Sequence, residues 1–271
     1  MTVSAVQCEG CGGAVAHEAG ASLPRCLFCG RDALKPADVD AGAQPTEYVP
    51  FSVDSGAAKA AFKGWARRRF WAPAGIRSAR VELSRLFVPA WTWDGELETH
   101  WTGVISAATR SGKRPVTGSE RGEVAGVLVP SSPALTPSEL DAIAPFPVEG
   151  AQPLDGAEPP GPWEVARLSP EVARARGVDG MAREHGARIA ARSGVREMKT
   201  SAVALRADGR PLLLPVWIGA YVFKDDSYRV VVNGRTGAVT GSAPVAWWKV
   251  AMAVLALLGV ALVVVAIAAS Q

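Results

Sequence analysis

The 271-residue chain carries 29 basic and 26 acidic side chains, a formal net charge of +3. That is too small to mark a nucleic-acid-binding protein by charge alone. The length is ample for two domains with a real core, and the excess of arginine over lysine, with abundant Ala, Gly and Pro, is the usage of a GC-rich bacterial genome.

The first twenty residues hold no basic stretch followed by an apolar run, so no secretory signal is expected and the N-terminal region is placed in the cytoplasm. All four cysteines come next, as Cys8-x2-Cys11, fourteen residues, and Cys26-x2-Cys29. Two such pairs, each offering two thiolates from a tight turn, suit a tetrahedral four-sulfur zinc site. Gly12 and Gly30 follow the second cysteine of each pair, where a residue free to take positive φ lets the turn wrap the metal. Disulfides would need an oxidising compartment, a thioredoxin-like pair would need a single C-x-x-C beside a βαβ unit, and iron–sulfur spacings differ. The expected cofactor is therefore structural Zn2+ held by Cys8, Cys11, Cys26 and Cys29, a closed shell that leaves His17 spare. Residues 1–40 hold three basic and five acidic side chains, and Phe28 is their lone aromatic, which argues against a phosphate-binding or base-stacking face.

Residues 1–35 are read as the zinc ribbon and 36–50 as a linker to an α+β region spanning 51–245. That region opens with SGAAKAAFKGWARRRFW, where Ala58, Ala61, Phe62 and Trp65 recur at helical spacing. Lys59, Lys63, Arg67 and Arg68 fall largely on the other side, and Arg69 adds to them. The group is read either as a solvated helix face or as a contact for an anionic lipid surface. From 81 to about 129 strands are expected, with a bend or hairpin at Asp94-Gly95 and a polar turn over SGKRPVTGSERG. Residues 131–162 are proline-rich, yet Thr136-Pro137-Ser138-Glu139 has the form of a capping box and predicts one short helix.

The second half, 163–245, repeats the order of the first, 51–130. Ser169-Pro170-Glu171 starts a helix that runs to about Arg192, with a break expected at Gly177 or Gly180. Strands follow, punctuated by turns at Asp208-Gly209 and at KDDS. LFVPAW and LLLPVW match at a constant offset of 126 residues, Leu86 to Leu212, which leaves a duplication open. Pro89 and Pro215 are expected at strand edges or bulges.

Residues 250–269 contain no charged or strongly polar side chain, and about 30 Å of helix, the thickness of a bilayer's hydrocarbon core, would result. Trp247, Trp248 and Lys249 suit the headgroup zone, and Lys249 favours the cytoplasmic side. Residues 246–271 are thus read as a single-pass tail anchor.

With its ribbon, the W-A-R-R-R-F-W-A-P helix, two L-x-x-P-x-W strands and Y-R-V-V-V-N-G-R-T-G-A-V-T-G before the anchor, the chain resembles a bacterial family of zinc-ribbon membrane proteins. Members often carry labels such as primosomal-helicase-like or transcription-factor-IIB-type ribbon protein. The resemblance implies architecture and no settled activity. A helicase motor would need G-x-x-x-x-G-K-[ST], and Ser111-Gly112-Lys113-Arg114 lacks both the leading glycine and the hydroxyl. YRVVVNGRTGAVTG also looks, more weakly, like the closing hairpin of PepSY modules.

No catalytic constellation emerges. His17, His100 and His185 are not spaced as a metal pair, His100 near Glu96 and Glu98 reads as a structural strand residue, and Asp225-Asp226 reads as a hairpin turn. The expected fold is α+β: a small N-terminal zinc ribbon, a central region with an antiparallel sheet, and one C-terminal transmembrane helix. The expected function is a non-enzymatic, membrane-anchored cytoplasmic adaptor that binds an unidentified protein partner. A membrane-tethered nucleic-acid binder is the alternative, and a hydrolase without a recognisable motif is a third reading.

Overall fold

The computed structural model describes residues 2–10, 13–16, 26, 32–40, 42–107, 112–132 and 135–269. Three long strands dominate it. β5 (Val81–Ser106) pairs antiparallel with β6 (Lys113–Pro130) on one side and with β9 (Arg196–Phe223) on the other. β9 continues the sheet to β10 (Asp226–Asn233) and β11 (Val239–Gly241). Beyond β5 the order runs through β8 (Trp163–Glu164), β2 (Ala14–Ala16) and β1 (Thr2–Cys8) to β3 (Leu34–Asp40). Two more short strands, β4 (Glu47–Tyr48) and β7 (Gln152–Pro153), pair with each other, and β4 also pairs with β9. The sheet is mixed rather than wholly antiparallel, because β4 with β9 and β5 with β8 run parallel.

The long strands alternate their side chains between two faces. On one face lie Val81, Trp91, Trp93, Leu97, Trp217 and Tyr221. They are covered by α1 (Ser55–Arg68) through Phe62 and Trp65, and by α3 (Pro170–Ser193) through Ala173 and Met181. The other face presents Leu86, Val88, Ala90, Leu214 and Val216 to α2 (Pro137–Ala142) and the proline-rich segment around it. The capping box forms as expected: Thr136 Oγ1 accepts from Glu139 N–H at 3.2 Å, and Thr136 N–H donates to Glu139 Oε2 at 3.0 Å. Buried Asn233 then fastens this segment by donating to the carbonyls of Ile143 and Pro145, at 2.8 and 3.0 Å.

Several expectations give way to long-range packing. Neither Asp94-Gly95 nor Asp208-Gly209 turns the chain: both lie inside continuous strands, with Asp94 opposite Asp208 and Trp93 opposite Gly209. Neither glycine has a positive φ. They are needed for close approach, since a Cβ on Gly209 would stand 2.4 Å from the Trp93 ring and one on Gly95 2.3 Å from the Arg206 carbonyl. The expected polar turn from Lys113 to Gly122 is strand, paired with Ser106–Leu97. α3 runs unbroken through Gly177 and Gly180, because Gly177 lets the helix sit on Trp93, with a would-be Cβ at 2.5 Å from the ring. The first five residues of the expected linker, 36–40, belong to β3 and pair with β1.

The two L-x-x-P-x-W copies pair with each other. Leu86 faces Val216, Val88 faces Leu214 and Ala90 faces Leu212, so the copies are related by a local two-fold through the Val88–Leu214 pair. Both prolines stand in central strands, where a missing N–H is harmless only if no neighbour needs it. Pro89 lies where β5 changes its outer neighbour from β8 to β6, and its carbonyl accepts from Ser131 N–H at 2.9 Å. Pro215 lies where β9 changes from β4 to β10, and its carbonyl accepts from Gly234 N–H at 2.8 Å. The halves 51–130 and 163–245 thus build one sheet together.

Candidate functional site

β1 and β3 pair along their whole length, from Thr2 opposite Asp40 to Cys8 opposite Leu34. At that end Cys8 N–H donates to Gly13 O at 2.9 Å, and Glu9 N–H donates to Ala33 O at 2.9 Å. Ala33 and Leu34 therefore lie directly beside Glu9 and Cys8. Cys8 and Cys26 are both buried and belong to the same cluster as Val15, Leu86 and Val88. One cysteine from each C-x2-C pair thus lies in the same buried cluster. Cys11, Cys29 and His17 lie outside the described residues. Among the described residues no three His, Cys, Asp or Glu side chains gather as a metal group.

The N-terminal strands are not a separate knob. β2 pairs with β8, β8 pairs with β5, and the cysteine cluster is continuous with the core of the main sheet. The spacing of the cysteines suggested a ligand set; nothing in it pointed to this shared core.

The basic helix forms as the sequence indicates. Asp54 caps α1 by accepting from Ala57 N–H at 2.7 Å, Ala58, Phe62, Trp65 and Ala66 are buried, and Lys59, Lys63, Arg67, Arg68 and Arg69 are exposed. Arg69 lies over the Trp65 ring, 4.6 Å from its centroid. α1 ends at Arg68, and the C-cap Arg69 N–H donates to Ala66 O at 3.3 Å.

α4 (Trp247–Ala269) is long and apolar enough to cross a membrane, and none of its most apolar stretch is buried against the rest of the protein. Its base is fixed, not tethered. Ala246 N–H donates to Trp71 O at 2.7 Å, and Lys249 Nζ donates to the carbonyls of Phe70 and Ala72 at 2.7 and 2.8 Å. The ammonium expected to reach toward lipid phosphates instead donates to two carbonyls of the loop that follows α1. Before α4, Ser242 N–H donates to Arg229 O at 3.0 Å and Ser242 O accepts from the Tyr221 hydroxyl at 3.1 Å. Burial pushes the Tyr221 phenol up to about 12, so it remains a donor at any ordinary pH.

Of the residues weighed for catalysis, His100, His185 and Asp225 are dispersed. His100 is exposed between Ser119 and Ser201 of the flanking strands. His185 lies on the buried face of α3, with Nδ1 2.8 Å from Thr99 Oγ1 and Nε2 3.8 Å from Glu120 Oε1. Burial, and then Arg188, hold its pKa below the ordinary value. Asp225 occupies the two-residue turn between β9 and β10, where Lys224 and Asp225 both have positive φ, as a tight hairpin requires. No protein-family model, no curated protein and no solved structure matches the chain.

Proposed function

We propose that the chain is a non-enzymatic, membrane-anchored adaptor of the bacterial cytoplasm. Cys8, Cys11, Cys26 and Cys29 hold one structural Zn2+, α4 crosses the bilayer, and the zinc-ribbon end of the sheet presents a surface to a protein partner. The observation that carries this reading is the burial of Cys8 and Cys26 in one cluster, with Cys8 N–H donating to Gly13 O. Zinc bound there would neutralise thiolates and lock the ends of β1 and β3. The exposed side chains of Lys59, Lys63 and Arg67–Arg69 would lie beside an anionic leaflet, which favours lipid contact over the alternative of nucleic-acid binding, because the same helix end is bonded to the base of α4.

Affinity capture of the full chain from a gentle detergent extract, with Cys26→Ser in parallel, tests the adaptor reading. A protein recovered with the native chain and lost with the variant agrees with it. Identical recoveries would remove the ribbon as the recognition surface, and recovery of nucleic acid alone would favour the alternative.

A further inference from the structure

The loop that ends α1 carries two large apolar side chains in the open. Phe70 is 68% exposed and Trp71 is 49% exposed, and their rings pack edge to face at 5.2 Å. A folded protein rarely leaves two adjacent aromatics in water without a partner. The backbone of these residues is the surface on which α4 is seated: Trp71 O accepts from Ala246, and Phe70 O and Ala72 O accept from Lys249. The first two residues of α4, Trp247 and Trp248, are 75% and 62% exposed. The Lys249 ammonium lies between the groups, 5.4 Å from the Phe70 ring centroid and 5.7 Å from that of Trp248. Four aromatic side chains from two distant parts of the sequence therefore surround one bonded seat.

We propose that Phe70 and Trp71 form a second lipid-contacting element, a wedge that enters the interfacial zone of an anionic bilayer beside the base of α4. The proposal rests on α4 crossing that bilayer and adds to it a statement about residues that the apolar segment does not include. The seat sets the depth. α4 has 23 residues, and at about 1.5 Å per residue its roughly 34 Å matches the hydrocarbon core, so Trp247 and Trp248 fall at the headgroup level where aromatic belts form. Hydrogen bonds to the same turn hold Phe70 and Trp71 close to that level. The preceding residues, Arg67, Arg68 and Arg69, are exposed and positive, and they suit the phosphates above an inserted aromatic pair. Lipid is favoured over a protein occupant by this continuity with the spanning helix and by the charge beside it. A membrane held at two points, helix and wedge, fixes the tilt of the sheet and so the direction in which its zinc-ribbon end faces.

The experiment uses the full chain labelled with 5-fluorotryptophan in phosphatidylcholine–phosphatidylglycerol nanodiscs. Fluorine resonances are assigned with the single variants Trp71→Phe, Trp247→Phe, Trp248→Phe and Trp101→Phe. Broadening is then compared for a lipid carrying a nitroxide near its headgroup and for an aqueous gadolinium chelate. The expected result is that Trp71 broadens with the lipid nitroxide as Trp247 and Trp248 do, and that gadolinium broadens it several-fold less than it broadens the partly exposed Trp101. Trp71 broadened by gadolinium more than Trp101, with Trp247 and Trp248 shielded, would overturn the wedge and leave the anchor standing. Trp247 and Trp248 broadened by gadolinium would overturn both.

Discussion

Replacing Gly177 by Ala tests how α3 is held on the sheet, because two effects of known sign oppose each other there. In a helix interior, Gly→Ala ordinarily stabilises by about 1 kcal/mol, since alanine loses less backbone freedom. At Gly177, however, a Cβ would lie 2.5 Å from the ring of Trp93, which is itself buried and so close to Gly209 that a Cβ there would stand 2.4 Å from the same ring. The ring has nowhere to retreat. Forcing a carbon into a packed site of this kind costs about 1–3 kcal/mol, so the packing penalty should cancel or exceed the helical gain. Gly64 of α1 is the control, because its Cβ would meet nothing within 4 Å. Thermal unfolding of the full chain in mild detergent, followed by tryptophan emission, should place Gly64→Ala above the native protein, with about 2–4 °C per kcal/mol for a chain of this size. Gly177→Ala should melt at or below the native temperature. If both variants melted higher by the same amount, the close seat of α3 on Trp93 would be wrong.

Burial and Arg188 hold the His185 imidazole below its ordinary value of 6.5. The unfolded chain therefore takes up a proton near that pH while the folded one does not, and stability falls as the pH drops below about 6.5. The groups around it are Glu120, which is paired with Arg192, and Arg188, which is paired with Glu184. Melts at pH 7.5 and 5.5 should show a smaller acid-induced drop for His185→Gln than for the native chain; equal drops would remove His185 as the cause. A truncated chain of residues 1–245 should bind anionic vesicles weakly and in a salt-sensitive way, with each basic residue adding about 1 kcal/mol at most. Changing Arg67, Arg68 and Arg69 together to Gln should reduce that binding. Retention of single-stranded DNA without vesicle binding would instead point to nucleic acid.

The sequence was most legible where structure is set locally. The capping box at Thr136 and Glu139, the cap at Ser169 and the apolar stripe of Phe62 and Trp65 each depend on residues within one or two turns, and each appears in the structure. Apolar residues 250–269 likewise lie in a single helix. It misled where a local signal served a distant contact. Asp-Gly reads as a turn, but Gly209 is small for the sake of Trp93, 116 residues earlier in the chain by the difference of their numbers. The match between LFVPAW and LLLPVW was visible as an offset, yet only the register shows the two copies paired across a local two-fold. At the candidate site, spacing offered four cysteines as candidate ligands, and gave no sign that Cys8 and Cys26 share a core with Leu86 and Val88. Lys249 read as a headgroup contact because nothing local reveals that Phe70 O and Ala72 O, well over a hundred residues away, lie within its reach.

Metal content of the full chain bears most directly on the account. Protein purified in mild detergent without added metal should contain one zinc per chain, and Cys26→Ser should lose it. Because Cys8 and Cys26 lie in the core that carries Leu86 and Val88, the variant should also lower the melting temperature of the whole sheet. A native chain with no zinc, or one showing the visible absorption of an iron–sulfur cluster, would contradict the zinc-ribbon reading.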